Sequence, residues 1–82
     1  MNGELIPLHL LPPGCSGRVC RIEINGAARR RMLDLGLTGS TAVAALQKSP
    51  SGDPTAYLIR GAVIALRSQE ASQIFVAPDN IK

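Results

Sequence analysis

The side chains in this chain that could ligate a soft metal are His9, Cys15 and Cys20. A structural zinc site takes about four ligands, with paired ligands roughly two to four residues apart. Cys15 and Cys20 fall at the wide end of that spacing. On one extended strand they would stand about 16 Å apart at ~3.3 Å per residue, facing opposite ways. A disulfide needs Cα atoms within about 7 Å, so both thiols are expected to be free. Ferrous iron prefers imidazole together with carboxylate, and one histidine does not supply that set. No metal site is expected within a single copy; a site shared between copies is the route by which metal would bind. Catalysis is no better served. With His9 alone there is no Ser-His-Asp set, and no nucleophile elbow accompanies it. Gly52-Asp53-Pro54 lacks the lysine and the glycine spacing of a phosphate loop. The chain reads as a non-enzyme that carries no cofactor.

Two segments remain that could make contacts. Arg29, Arg30 and Arg31 are consecutive, and successive helical residues turn by ~100°, so they cannot share a face. They form either a solvated surface or a docking surface for an acidic partner. At least one should lay its stem on the body of the protein or pair with Asp34 or Glu23. Arg30 and Asp34 have the spacing to pair across one helical turn. Ser51, Gly52 and Asp53 sit within a run bounded by Pro50 and Pro54, the strongest loop signal in the sequence.

The elements that must position these groups follow from pattern. Ala28, Met32 and Leu35 share a stripe at helical spacing, and Gly36 stands where a helix would hand over to a left-handed residue. Asn25 can cap that helix. Alternation predicts strands at 17–24, 41–47, 55–60, 63–67 and 73–76, with a helical turn capped by Ser68. Tyr57 and Ile59 share one strand face and Leu58 the other. Gly36, Gly39 and Gly61 are assigned to turns. Met32, Leu33, Leu35, Leu66, Ile74 and Val76 are assigned to the core. The exposed edge, where a partner strand could add, is expected on the hairpin 41–47 and 55–60.

Composition agrees with one small domain. The chain has 82 residues, 45% of them apolar, with Tyr57 and Phe75 its two aromatics. A net charge of +3 is too small to make nucleic acid the default partner. Stacking platforms for single strands need more aromatics than these. The N-terminus has no basic region followed by an apolar run. No apolar stretch approaches the ~20 residues of a membrane span. The expectation is a cytoplasmic protein that does not insert in the membrane. Short strands punctuated by Gly and Pro, without long alternating helices, favour a small antiparallel barrel.

Leu8 to Leu11 with Gly14 and Gly17-Arg18-Val19 resemble the opening strand of a known family. Arg31-Met32-Leu33-Asp34-Leu35-Gly36-Leu37 with Gly39-Ser40 resembles its helix and following turn. Pro50 to Pro54 resembles its hairpin loop, and Arg60-Gly61, Ile64 to Arg67, Glu70-Ala71 and Ile74-Phe75-Val76 resemble its closing strands. The family is the FeoA-like proteins of bacterial ferrous iron uptake. This sequence differs from the family pattern at Ser51, usually apolar, and at Thr38, often proline. The resemblance implies an SH3-like barrel at 8–76; the residues outside it read as a flexible N-terminal tail at 1–7 and a C-terminal tail at 77–82. It implies an accessory role to FeoB, the membrane transporter with a cytosolic GTP-binding domain, which would recruit the protein to the inner face of the membrane. Arg29, Arg30, Arg31, Ser51, Gly52 and Asp53 are the expected partner-binding residues, and weak self-association is allowed. The alternatives are a nucleic-acid-associated barrel of the same fold, or a metal-responsive sensor module.

Overall fold

The computed structural model describes residues 4–79. Six antiparallel strands form one sheet in the order β1-β6-β2-β3-β4-β5. They are β1 (Ile6–Pro7), β2 (Ser16–Ile22), β3 (Ala42–Lys48), β4 (Thr55–Ile59), β5 (Ala62–Leu66) and β6 (Ile74–Pro78). The α-helix α1 (Gly26–Asp34) joins β2 to β3, and the single helical turn α2 (Ser68–Ala71) joins β5 to β6. A 3-10 turn at Leu8–Leu10 follows β1.

One hydrophobic cluster holds these elements together. It takes Val19 from β2, Val43 and Ala45 from β3, Tyr57 and Ile59 from β4, Leu66 from β5 and Ile74 and Val76 from β6. Leu8, Leu11, Met32 and Leu37 fill it from the connecting segments. A sheet whose every major strand feeds one cluster must curl around it, the barrel-like geometry expected from short strands. The Tyr57 hydroxyl reaches the Leu8 carbonyl at 3.5 Å, linking β4 to the turn after β1. Burial pushes its ionisation above the ordinary phenol value; a hydrogen bond with Thr55 lowers it, and the Asp53 charge raises it.

Several local features differ from the pattern reading, each for a physical reason. The sheet begins at Ile6–Pro7, which pairs with Val76 and Phe75, so paired structure reaches into the segment read as tail. At the other end β6 runs to Pro78, past the expected boundary at 76. Leu8 to Leu11 is not a strand: it opens as a 3-10 turn that buries Leu8 and Leu11. The opening long strand carries a bulge between Val19 and Arg21. A bulge inserts one unpaired residue and resets the alternation. That is why odd-numbered Val19 and even-numbered Ile22 both turn toward the core.

Helix α1 ends in a Schellman motif. Leu37 N–H donates to Met32 O at 3.0 Å and Gly36 N–H to Leu33 O at 3.0 Å. Gly36 is left-handed, with φ of 94°, as this motif requires. The motif brings Met32 and Leu37 together, both fully buried. Leu33 is 43% exposed and Leu35 only half-buried, so the core position is Leu37 rather than Leu33. Asn25 occupies the N-cap position without a side-chain cap bond. In the next turn the left-handed residue is Ser40, with φ of 73°, and not Gly39. Thr41, buried there, donates to Gly36 O at 3.2 Å and accepts Thr38 N–H at 3.0 Å.

Candidate docking surface

The helical turn α2 is the joint between the two segments singled out by sequence. On one side, Arg31 of α1 donates to Glu70 at 2.7 Å. On the other, Ser68 N–H donates to the Asp53 carboxylate at 2.8 Å, and Arg67 stands 4.0 Å from the same carboxylate. The Glu70 carboxylate also accepts Arg67 N–H at 3.2 Å. These bonds fasten α1, α2 and the β3–β4 loop into one strip. A shallow depression lined by Arg31, Ala65, Arg67 and Glu70 lies along it.

The three arginines have three different situations. Arg29 donates to Ile22 O at 3.0 Å, so its guanidinium closes the gap between α1 and β2. Arg31 is held by Glu70. Arg30 is exposed and forms no side-chain hydrogen bond or ion pair among the described residues. The expected Arg30–Asp34 and Glu23 pairs of this helix do not form among the described residues; Glu23 is taken by Arg21 at 2.8 Å. Arg21 lies over the Phe75 ring, 4.9 Å from its centroid.

The loop is locally built. Gly52 N–H donates to Ser49 O at 2.8 Å with Gly52 at φ of 90°. Ser51 donates to Asp53 O at 3.0 Å and lies 3.2 Å from the Ser49 hydroxyl. Ser51 and Gly52 are exposed, while Asp53 is half-buried by its contact with α2. The Asp53–Pro54 peptide bond is cis. Asp53 therefore has a definite structural role, because its carboxylate satisfies an orphan N–H at the start of α2.

The sequence pattern puts the cap of α2 on Ser68; the N-cap is Arg67. The signal that points to Glu70 is its spacing from Arg67, the N-cap to N3 distance of a capping box. Arg67 is not a residue type that advertises a cap, so the pattern slips by one position. Asp53, distant in sequence, has no local signal at all.

The soft ligands do not converge. Cys15 is partly buried and Cys20 exposed, and both are free. His9 is partly buried, and its Nδ1 atom has no hydrogen-bond partner among the described residues. No group of three or more His, Cys, Asp or Glu side chains able to hold a metal occurs among the described residues.

Comparison with known proteins places this architecture. A search of the curated proteins returned no match. The FeoA-like protein from Clostridium acetobutylicum superimposes with a TM-score of 0.88 at 29% identity, covering 100% of this chain and 94% of that one. The Stenotrophomonas maltophilia FeoA complexed with zinc, described as a procaryotic SH3 domain protein, superimposes with a TM-score of 0.75 at 26% identity. That match covers 88% of this chain and 93% of the other. A manganese-dependent transcriptional repressor gives a TM-score of 0.84 at 20% identity, covering 95% of this chain and 44% of the repressor. At that identity the likeness shows the fold alone. The family profile described as FeoA domain matches residues 6–78, so the chain belongs to the FeoA domain family.

Proposed function

We propose that this chain is an accessory protein of bacterial ferrous iron uptake that docks onto the cytosolic part of a FeoB-type membrane transporter. Family membership supports the iron-uptake setting, as does the description of the Stenotrophomonas maltophilia relative as a candidate ferrous iron transport activating factor. The observation that carries the docking reading is the fastening of α1 and the β3–β4 loop to one another through α2. Through Arg31 and Asp53, helix α1 and the loop tip at Ser51 and Gly52 are then held in one relation to each other, with Arg30 on the next exposed face of α1 and Arg29 turned to β2. Arg30 and the loop tip at Ser51 and Gly52 meet the partner. Arg29, Arg31 and Asp53 hold the strip in shape. The protein acts from the cytoplasmic side; no helix among the described residues is long and apolar enough to cross a membrane.

Docking changes transport only if the surface binds one state of the transporter more tightly than another. The test is a two-dimensional NMR titration against the cytosolic domain of the cognate FeoB, with and without guanine nucleotide. Shifts should cluster on α1, α2 and residues 51–53. Arg30→Glu, at a side chain with no hydrogen bond or ion pair among the described residues, should weaken binding roughly two- to tenfold, as loss of a rim charge does. An absence of shifts at high micromolar concentration would remove direct contact with that soluble domain.

A further inference from the structure

The exposed turn Thr38-Gly39-Ser40, between α1 and β3, has four exposed arginines around it. Arg18 donates to Ser40 O at 3.0 Å. Arg60 lines one depression with Ser40 and Thr41, and its stem lies against Gly36. It takes part in none of the ion pairs among the described residues. Arg60 leaves β4, a strand interior to the sheet. The open edge expected on β3 and β4 is corrected here: each is paired on both sides, and the open strand is β5. Arg21 and Arg29 line a second depression with Thr38, Gly39 and Leu33.

Three carboxylates border this face. Glu23 is held by Arg21 at 2.8 Å. Asp79, on the first depression, accepts the Ser16 hydroxyl at 2.6 Å. Asp34 lines a neighbouring depression with Arg29, Arg30 and Leu33. The rest of the described surface is balanced, Arg31, Arg67 and Lys48 against Glu4, Asp53 and Glu70. The excess positive charge of the described residues therefore lies around the 38–40 turn. That is the flank of α1 away from α2. Arg29 and Leu33 are four apart and share a side of the helix, while Arg31, bonded to α2, is about 200° from each of them.

The chemistry of the face selects its partner. Guanidinium forks match phosphate oxygens. The four of them surround a turn instead of lining one cleft, a layout suited to many phosphates on a surface and not to one small anion. No aromatic ring is free to stack a base: Tyr57 is buried and Phe75 lies under Arg21, whereas single-strand sites rely on stacking. Between the second depression and its neighbour stands Leu33, 43% exposed and lining both. An apolar side chain among cations fits a lipid surface, where the leucine enters the acyl boundary and the guanidinium groups stay at the phosphates.

We infer that the 38–40 turn and the Leu33 flank of α1 form a contact for an anionic lipid surface, on which the protein lies without crossing it. Binding is weak and reversible, because each cation near such a surface contributes only about fivefold. The α1–α2 strip, on the other flank of α1, stays free for a protein partner, and the inference does not depend on which protein that is.

The test is flotation of the full chain with vesicles of phosphatidylglycerol and phosphatidylcholine in equal parts, and with phosphatidylcholine alone, at millimolar lipid. At low salt the chain should float with the anionic vesicles and not with the neutral ones. Arg18→Gln and Arg60→Gln keep a polar stem and lose the charge; each, shown folded by circular dichroism, should weaken binding roughly fivefold. Moderate salt should weaken the parent further, by screening. Leu33→Ala should weaken binding severalfold, by the same factor at low and moderate salt, because burial of an apolar group is not screened. Lys48→Gln, at the far end of β3 from the turn, should have little effect. Three results would each overturn the inference: no flotation with anionic vesicles, equal flotation with neutral ones, or a loss in Lys48→Gln as large as in the arginine variants. Tighter binding to duplex DNA or to polyglutamate, at the same concentration of negative charge, would overturn the choice of a lipid surface.

Discussion

Asp53→Ala isolates the bond that ties the β3–β4 loop to α2. The carboxylate accepts Ser68 N–H at 2.8 Å, one of the first-turn amides that a helix leaves without an internal partner. Deleting such an acceptor costs about 0.5–1.5 kcal/mol, the net worth of a typical hydrogen bond. The Arg67 pair adds little, being 4.0 Å long with side chains 69% and 38% exposed. The expected loss is therefore about 1 kcal/mol. In a domain of this size that lowers Tm by roughly 4–8 °C. Asp53→Asn keeps an oxygen acceptor and should lose well under half as much. Melting by circular dichroism gives the Tm, and amide exchange at Ser68 reports the bond directly. The deficit of the alanine variant should persist at high salt, since a Coulombic origin would be screened and a hydrogen bond would not. An alanine variant melting within about 1 °C of the parent, with Ser68 exchange unchanged, would refute the capping assignment.

Leu37→Ala should cost about 2–5 kcal/mol, as loss of a fully buried leucine does, whereas exposed Leu33→Ala should change stability by no more than about 0.5 kcal/mol; urea melts of the pair decide which leucine the Schellman motif buries. Gly17→Ala should destabilise by roughly 1–3 kcal/mol, because a Cβ there would stand 2.7 Å from the Ala77 carbonyl oxygen, a backbone atom of β6 that cannot swing aside; a wild-type melt would show that β2 and β6 are not in this close register. Tyr57 is held neutral by burial above its usual titration point. As pH rises past about 10 the unfolded chain loses this proton first, so the unfolded state gains and stability falls, by at most ~1.4 kcal/mol per pH unit for one group. Tyr57→Phe should flatten that part of the alkaline stability profile, and an unchanged slope would place the effect on other groups.

Fold class is legible in the sequence because it rests on local pattern. The strands at β4 and β5 announce themselves by alternation and by the Arg60-Gly61 turn, and Gly36 marks the helix end. What pattern cannot give is parity across an irregularity. The bulge after Val19 shifts which residues of β2 face inward, and a single sequence shows only that Val19 and Ile22 are both apolar. The assignment of Leu33 to the core fails for a related reason. At the end of a helix the chain leaves the 3.6-residue period, and the 6→1 bond from Leu37 to Met32 decides which leucine turns in.

The docking surface is legible in its parts and not in its assembly. Arg31 and Asp53 both stand out in the sequence for their charge, yet each is committed to α2. Both partners lie far away in sequence, where no spacing rule reaches. The edge strand shows the same limit more sharply. Whether a strand is interior or terminal depends on the order in which strands pair, and nothing within the strand itself records that order. Yet β5 does carry a trace of its position. An interior strand of a curled sheet can be apolar on both faces without inviting aggregation, but a terminal strand of that composition invites pairing. An unprotected β5 opposite a proline-blunted β1 leaves the two ends of the sheet unequal in their capacity to pair.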